Sequence, residues 1–205
     1  MGIVTAGPPS DIVLLLAAMN ESTTFVETGT FRGDTTRWAA QHFSDVYTIE
    51  RSTELYDTYQ PVLSQIPGVR ALHGDSRDVL PSLLTDLPPR GTVFWLDGHW
   101  SGGITAGQGD ECPVLEELAC LGGRRDDIIL IDDARFFLCS PPAPHDPAGW
   151  PTLQELMSAV SRFDRETFVQ IVNDVIFIVP SLPTLRGALT VYAQENFHRS
   201  WRRAT

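Results

Sequence analysis

The chain is a succession of short apolar runs bounded by glycine, proline or carboxylates, and most are followed by a stretch with apolar residues at helical spacing. After a helix predicted at 11–20, capped by Ser10 or Asp11, residues 23–27 read as a first strand and 33–43 as the helix behind it. A second strand at 46–50 leads into a helix beginning at Ser52. A third, at 69–73, follows the Pro67-Gly68 turn and precedes a helix at 78–87. The runs 92–97 and 127–132 supply the fourth and fifth strands, joined by the glycine-rich stretch 98–110 and a helix near 113–121. This alternation predicts an α/β fold with a doubly wound, mostly parallel, Rossmann-like sheet.

The pattern changes near the end. Pro141, Pro142, Pro144, Pro147 and Pro151 exclude a helix or inner strand over 139–151, so a loop is predicted directly after the fifth strand. Beyond a helix at 152–162, the runs 168–172 and 175–179 flank Asn173-Asp174, two residues that tolerate the positive φ of a tight hairpin. The sheet is therefore expected to close as seven strands with an antiparallel C-terminal hairpin. A terminal helix follows over 183–203, with a basic end at Arg199, Arg202 and Arg203 suited to its dipole or to an interface.

At 205 residues, 42% of them apolar and 20% charged, the chain is sized for a single domain spanning 1–205. Fifteen basic and twenty-six acidic residues give a net charge of −11, which opposes binding to nucleic acid or to an anionic membrane. No apolar run approaches the roughly 18–20 residues of a membrane span, and a cytoplasmic protein is expected. All fifteen cationic side chains are arginine, so lysine chemistry is excluded. Cys112, Cys120 and Cys139 lack metal spacing and read as buried or half-buried free thiols.

Two groups of residues carry candidate chemistry. Val93-Phe94-Trp95-Leu96 ends in Asp97, and Ile128-Ile129-Leu130-Ile131 ends in Asp132 and Asp133. Buried strands would bring these three carboxylates to the crevice where open α/β sheets bind ligands, and close-set carboxylates repel unless a cation or a proton separates them. The second group is Glu27-x-Gly29-x-x-x-Gly33, where the missing side chains let the backbone turn sharply and approach a ligand. Glu50 ends the second strand, placed to accept hydrogen bonds from ribose hydroxyls. A dinucleotide fingerprint would need glycine at position 27, which weakens a nicotinamide-cofactor reading.

These motifs and their order, over roughly 23–180, resemble the class I S-adenosylmethionine-dependent methyltransferases. The resemblance implies that Glu27, Gly29 and Gly33 shape the site of the cofactor's methionine part and that Glu50 holds its ribose. It also implies that Asp75 and Ser76 in Gly74-Asp75-Ser76 contact adenine; Asp75 reads equally as a helix cap. Leu96-Asp97-Gly98-His99-Trp100 and Ile131-Asp132-Asp133 look like the metal-binding segments of catechol-type and macrolide-sugar O-methyltransferases. That likeness implies magnesium on Asp97, Asp132 and Asp133, with Asp97 also at the cofactor. A plain reading makes Asp132 a turn cap and leaves Asp133 in solvent.

The departures matter as much. Catechol-type enzymes place a lysine base after the fourth-strand acid, whereas this chain has His99, read as the general base, as a metal ligand or as a structural donor. His42, His73, His145 and His198 are given structural roles. Asp110 and Glu111 read as acids compensating the dipole of the helix at 114–121, and Trp100, Phe136, Phe137 and Trp150 as walls of the substrate cleft. Arg32 and Arg135 are read as surface pairs or as contacts to an anionic substrate.

The resemblance thus implies methyl transfer from S-adenosylmethionine to a hydroxyl of a small molecule, a secondary metabolite, helped by a divalent metal. Two alternatives stand beside it: an oxygenase on the same fold, of the cephalosporin-hydroxylase type, and a non-catalytic cofactor-binding accessory protein. With few residues before the first strand, a second copy in a homodimer is an open means of completing the pocket.

Overall fold

A computed structural model describes the backbone of residues 7–200 and the side chains of residues 7–197. The expected basic end of the last helix, Arg199, Arg202 and Arg203, lies outside the described side chains. Strands β1 (Thr24–Thr28), β2 (Asp45–Glu50), β3 (Val69–His73), β4 (Thr92–Leu96) and β5 (Ile128–Ile131) alternate with helices. The helices are α1 (Ser10–Met19), α2 (Asp34–Ala39), α3 (Thr53–Leu63), α4 (Ser76–Asp86) and α5 (Val114–Leu121). A short α6 (Arg135–Leu138), which the periodicity did not predict, follows β5. Then come α7 (Leu153–Val160), β6 (Thr167–Val172), β7 (Val175–Pro180) and α8 (Pro183–Ser200).

The sheet has the order β3-β2-β1-β4-β5-β7-β6. Its first five strands are parallel, while β7 pairs antiparallel with both β5 and β6. Asn173 and Asp174 join β6 to β7 with φ of 49° and 66°, the hairpin expected from the sequence. Every residue of β1, β4, β5 and β7 is buried, because helices cover both faces and a parallel sheet so placed needs continuous apolar runs. Side chains of β1, β4, β5 and β7 alternate between two cores. Phe25, Trp95, Leu130 and Phe177 pack with α1, α2 and α8 on one face. Val26, Phe94, Ile129 and Ile178 pack with α4, α5 and α7 on the other. Each large side chain so buried contributes about 1.5–3 kcal/mol.

Helix boundaries follow their caps. Ser52 accepts from the Leu55 amide at the start of α3, and Thr152 with Glu155 forms a capping box on α7. The helix expected over 33–43 is shorter, ending in a turn after Ala39. The three cysteines are free, but Cys139 is exposed instead of buried or half-buried. No helix among the described residues is long and apolar enough to cross a membrane.

Candidate active site

β1 is flanked by β2 on one side and β4 on the other, so the chain's winding reverses there and leaves a crevice beyond the strand ends. Gly29 makes that crevice possible. It has φ of 83°, donates its amide to the Ile49 carbonyl at 2.9 Å, and lies so close to β4 that a Cβ would sit 2.2 Å from the Asp97 carbonyl oxygen. Glycine is the one residue that meets both demands. The turn beyond it is closed by the Gly33 amide on the Thr30 carbonyl at 2.8 Å, and the Glu50 carboxylate accepts the Phe31 amide at 2.9 Å and the Ser52 amide at 2.7 Å.

A cavity of about 610 Å³ opens above this turn. Of the sequence-predicted residues, it gathers Gly29, Glu50, Asp75, Ser76, Asp97 and His99 along its wall. Glu27, Gly33, Asp132 and Asp133 are not on that wall. Glu27 lies beneath it, accepting the hydroxyls of Thr36 at 2.5 Å and Thr48 at 2.8 Å; burial pushes its carboxyl up to about 8 despite those two bonds. It is a buried acid, its neutral form favoured by desolvation, that ties β1 to β2 and α2. Gly33 gives α2 room against Leu63.

Asp75 caps α4, accepting the Arg77 amide at 3.0 Å, and its two oxygens also take the Arg77 guanidinium at 2.9 and 2.7 Å and Arg51 at 3.2 Å. The Arg77 bonds lead in holding this carboxyl below the usual range. Both oxygens are thus engaged by arginine before any adenine amino group arrives. The same arginines bind Asp110, Arg51 at 3.3 Å and Arg77 at closer range, so Asp110 fastens the glycine-rich stretch to the β3 side of the cleft. Glu111 does the corresponding job for the proline-rich loop. It accepts from His145 Nδ1 at 2.9 Å, the Asp146 amide at 2.9 Å and Trp150 Nε1 at 2.7 Å. Neither acid is primarily a dipole partner of α5, whose first turn carries its own Glu116 and Glu117.

The expected aromatic cleft walls are also differently used. Trp100, Phe137 and Trp150 are buried, none of the four aromatics lines the cavity, and rings of Trp150, Phe136, Phe137, His145 and His99 pack edge to face or tilted. Their apolar area outweighs any gain from facing water, so the loops after β4 and β5 weld together over them. Periodicity could not show this, because loop residues carry no register.

The carboxylates after β4 and β5 do converge. Burial, with repulsion from the neighbouring acids, holds both Asp97 and Asp132 above the ordinary carboxylate range. Asp133, at φ of 56°, receives His99 Nε2 at 2.8 Å and Arg135 Nη1 at 2.6 Å, and Arg135 also pairs with Asp174. The other ring nitrogen of His99 faces Asp97 at 3.5 Å. Burial opposes charge on this imidazole, but the Asp133 bond and the charges of Asp97, Asp133 and Asp132 prevail and raise it to about 9. Both ring nitrogens of His99 are thus directed at carboxylates, an arrangement that favours its charged form and uses the residue as a donor to Asp133.

This arrangement does not fit the implied magnesium set. Each Asp133 oxygen already accepts a cationic donor, Oδ2 from His99 and Oδ1 from Arg135, and among the described residues no three His, Cys, Asp or Glu side chains stand ready to hold a metal ion.

One acid was missed. Glu117 on α5 is 1% exposed and points under the β4 turn, where a Cβ on Gly98 would come within 3.2 Å of its Oε1. That oxygen has no hydrogen-bond partner, and burial raises the carboxyl to about 7 although the Ser76 and Thr28 hydroxyls pull it down. The sequence signal was available in a glutamate at the apolar period of an amphipathic helix.

No family model and no curated protein sequence matches the chain. Solved structures do. The chain is similar to the O-methyltransferase TomG from Streptomyces achromogenes, solved with S-adenosylmethionine (TM-score 0.55, 17% identity, 87% of this chain and 82% of that one). It is similar also to an O-methyltransferase from Bacillus cereus solved with S-adenosylhomocysteine (TM-score 0.54, 17% identity, 84% and 81%). The fold is that of the class I S-adenosylmethionine-dependent methyltransferases. Spermidine synthase from Thermotoga maritima is a further neighbour (TM-score 0.51, 11% identity, 86% and 58%), so the fold by itself does not name the reaction.

Proposed function

We propose that the protein transfers a methyl group from S-adenosylmethionine to a hydroxyl of a small molecule. The observation that carries this reading is the cavity at the β1–β4 crossover, where the Gly29 turn, the Glu50 carboxylate and Ser76 stand opposite Asp97. Glu50 spends one bond per oxygen on backbone amides, and a carboxylate oxygen accepts more than one, so capacity for ribose hydroxyls remains. The neighbour from S. achromogenes serves tomaymycin synthesis, which supports a small-molecule acceptor.

S-adenosylmethionine, when bound, would supply an electrophilic methyl group to the acceptor oxygen, and the acceptor hydroxyl would have to give up its proton. Asp97 lines the cavity, and its carboxyl is raised by burial, which suits it to receive that proton near neutral pH. His99, on the same cavity wall, faces Asp97 at 3.5 Å while anchored on Asp133. The cationic partners His99 and Arg135 already balance the charge of Asp133, so no step is assigned to magnesium. The test is S-adenosylhomocysteine production with a panel of hydroxyl acceptors, preceded by calorimetric titration of the cofactor. Absence of cofactor binding overturns the reading.

A further inference from the structure

Three cationic side chains line the cavity: Arg32, Arg51 and His99. Arg51 is neutralised by Asp75 and Asp110, and His99 by Asp133 and Asp97. Arg32 is different. Among the described residues no carboxylate pairs with its guanidinium, which rests over the Phe31 ring at 5.1 Å, although the chain carries a net charge of −11. Arg32 is an exposed residue at the rim of the cavity, and with no carboxylate partner among the described residues its guanidinium is open to an anionic ligand.

The turn bearing these two residues is built and held. Phe31 has φ of 49°, a left-handed conformation that bulky side chains seldom adopt, and the residue is 42% exposed. Glu50 grips its amide from one side, the Thr30–Gly33 bond closes the turn, and Arg37 Nη1 donates to the Arg32 carbonyl at 2.7 Å. Strain of this kind persists where the surroundings over-determine it, and it clusters where ligands are held. Stacked on an aromatic face, a guanidinium keeps its edge N–H groups free for a planar carboxylate. Ile49 and Ile104 add apolar wall in the same cavity, and Ile104 is a large exposed apolar side chain.

We infer that Phe31 and Arg32 form an acceptor-reading lip, and that the acceptor is a hydroxylated aromatic carboxylic acid whose carboxylate pairs with Arg32 while its ring lies along Phe31 and the isoleucines. This rests on the methyl-transfer reading above. The cofactor's own amino-acid carboxylate is the competing source of the same chemistry, and the experiment separates the two.

The protein loaded with S-adenosylhomocysteine is titrated calorimetrically with 4-hydroxybenzoate and with phenol. The carboxylate compound is expected to bind about tenfold more tightly or better, as a charge-assisted pair implies. Arg32→Gln should erase that preference, Arg32→Lys should retain part of it, and affinity for S-adenosylhomocysteine should be the same in all three proteins. Equal binding of the two probes, binding of neither, or a preference that survives Arg32→Gln overturns the inference. Loss of S-adenosylhomocysteine affinity in Arg32→Gln overturns it too, by assigning Arg32 to the cofactor. Because the readout is binding, a preference seen without any methyl transfer would count against the proposed reaction and leave the lip standing.

Discussion

On the β1 side of the cleft the backbone makes the site: Gly29 presses against the Asp97 carbonyl, amides of Phe31 and Ser52 fix Glu50, and the cavity is open above them. On the β5 side the side chains make it, and they close on one another, His99 with Asp133, Arg135 with Asp133 and Asp174, Glu111 with His145 and Trp150. One half is arranged to receive a ligand and the other has internal partners for most of its charge. Chemistry that depends on one residue's conformation therefore stays local, while chemistry that depends on charge is decided by whichever partner the fold brings nearest.

The sharpest way to break this contrast is at its backbone end. Gly29→Ala places a methyl on a carbonyl and a left-handed φ on alanine, so unfolding titrations should show a loss of about 3 kcal/mol or more, with cofactor binding abolished. A melt unchanged from wild type would show that β1 and β4 can part without cost. On the side-chain half, Asp133→Asn strands the His99 cation in a buried site and should cost on the order of 3 kcal/mol, as broken buried pairs do. If instead the variant folds as well as wild type, His99 is not held as a cation.

Smaller effects sharpen the comparison. Glu50→Gln should weaken calorimetric binding of S-adenosylhomocysteine by roughly 1.5–3 kcal/mol, the worth of hydrogen bonds to a charged acceptor, and should lower stability as well, because one of the two backbone amides that Glu50 accepts would face an NH2 group. Unchanged affinity would remove Glu50 from the ligand site. The pH dependence follows from five raised groups, Asp97, Asp132 and Glu117 to about 7, Glu27 to about 8 and His99 to about 9. The native state holds protons that the unfolded chain releases above its own carboxylate and imidazole pKa values. Stability should therefore fall as pH rises from about 5 to about 9, by up to about 1.4 kcal/mol per pH unit for each proton. Glu27→Gln should flatten the slope between about 5 and 8, and a slope identical to wild type would mean that Glu27 is ionised. Last and smallest, excess EDTA should leave methyl transfer unchanged. Loss of activity restored by magnesium would show that His99 and Arg135 yield Asp133 to a metal.

The strands and helices were legible because their signals are local. A run such as Val93-Phe94-Trp95-Leu96 is apolar throughout since both of its faces are covered, and Asn173-Asp174 permits one kind of turn. Gly29 and Glu50 were legible for the same reason, each lying at a strand end whose direction the pattern reveals. Asp97, Asp132 and Asp133 could be placed at neighbouring strand ends, but which of them would be paired could not, because His99 is 34 residues from Asp133 along the chain and Asp174 is 39 from Arg135. The aromatics after β4 and β5 were misread as cleft walls on the same account: their burial depends on two loops meeting.

By itself, then, the sequence determined the α/β alternation, the antiparallel hairpin and the positions of the glycine turn and the strand-end acids, all of which follow from side-chain period and backbone conformation within a few residues. Only the tertiary structure decided that Asp75 is spent on Arg77 and Arg51, that Glu27 and Glu117 are buried acids behind the cleft, and that Arg32 alone among the cavity's described cations has no acid partner. Desolvation and ion pairing depend on distance through space, and the order of residues along the chain does not encode that distance beyond the nearest turn.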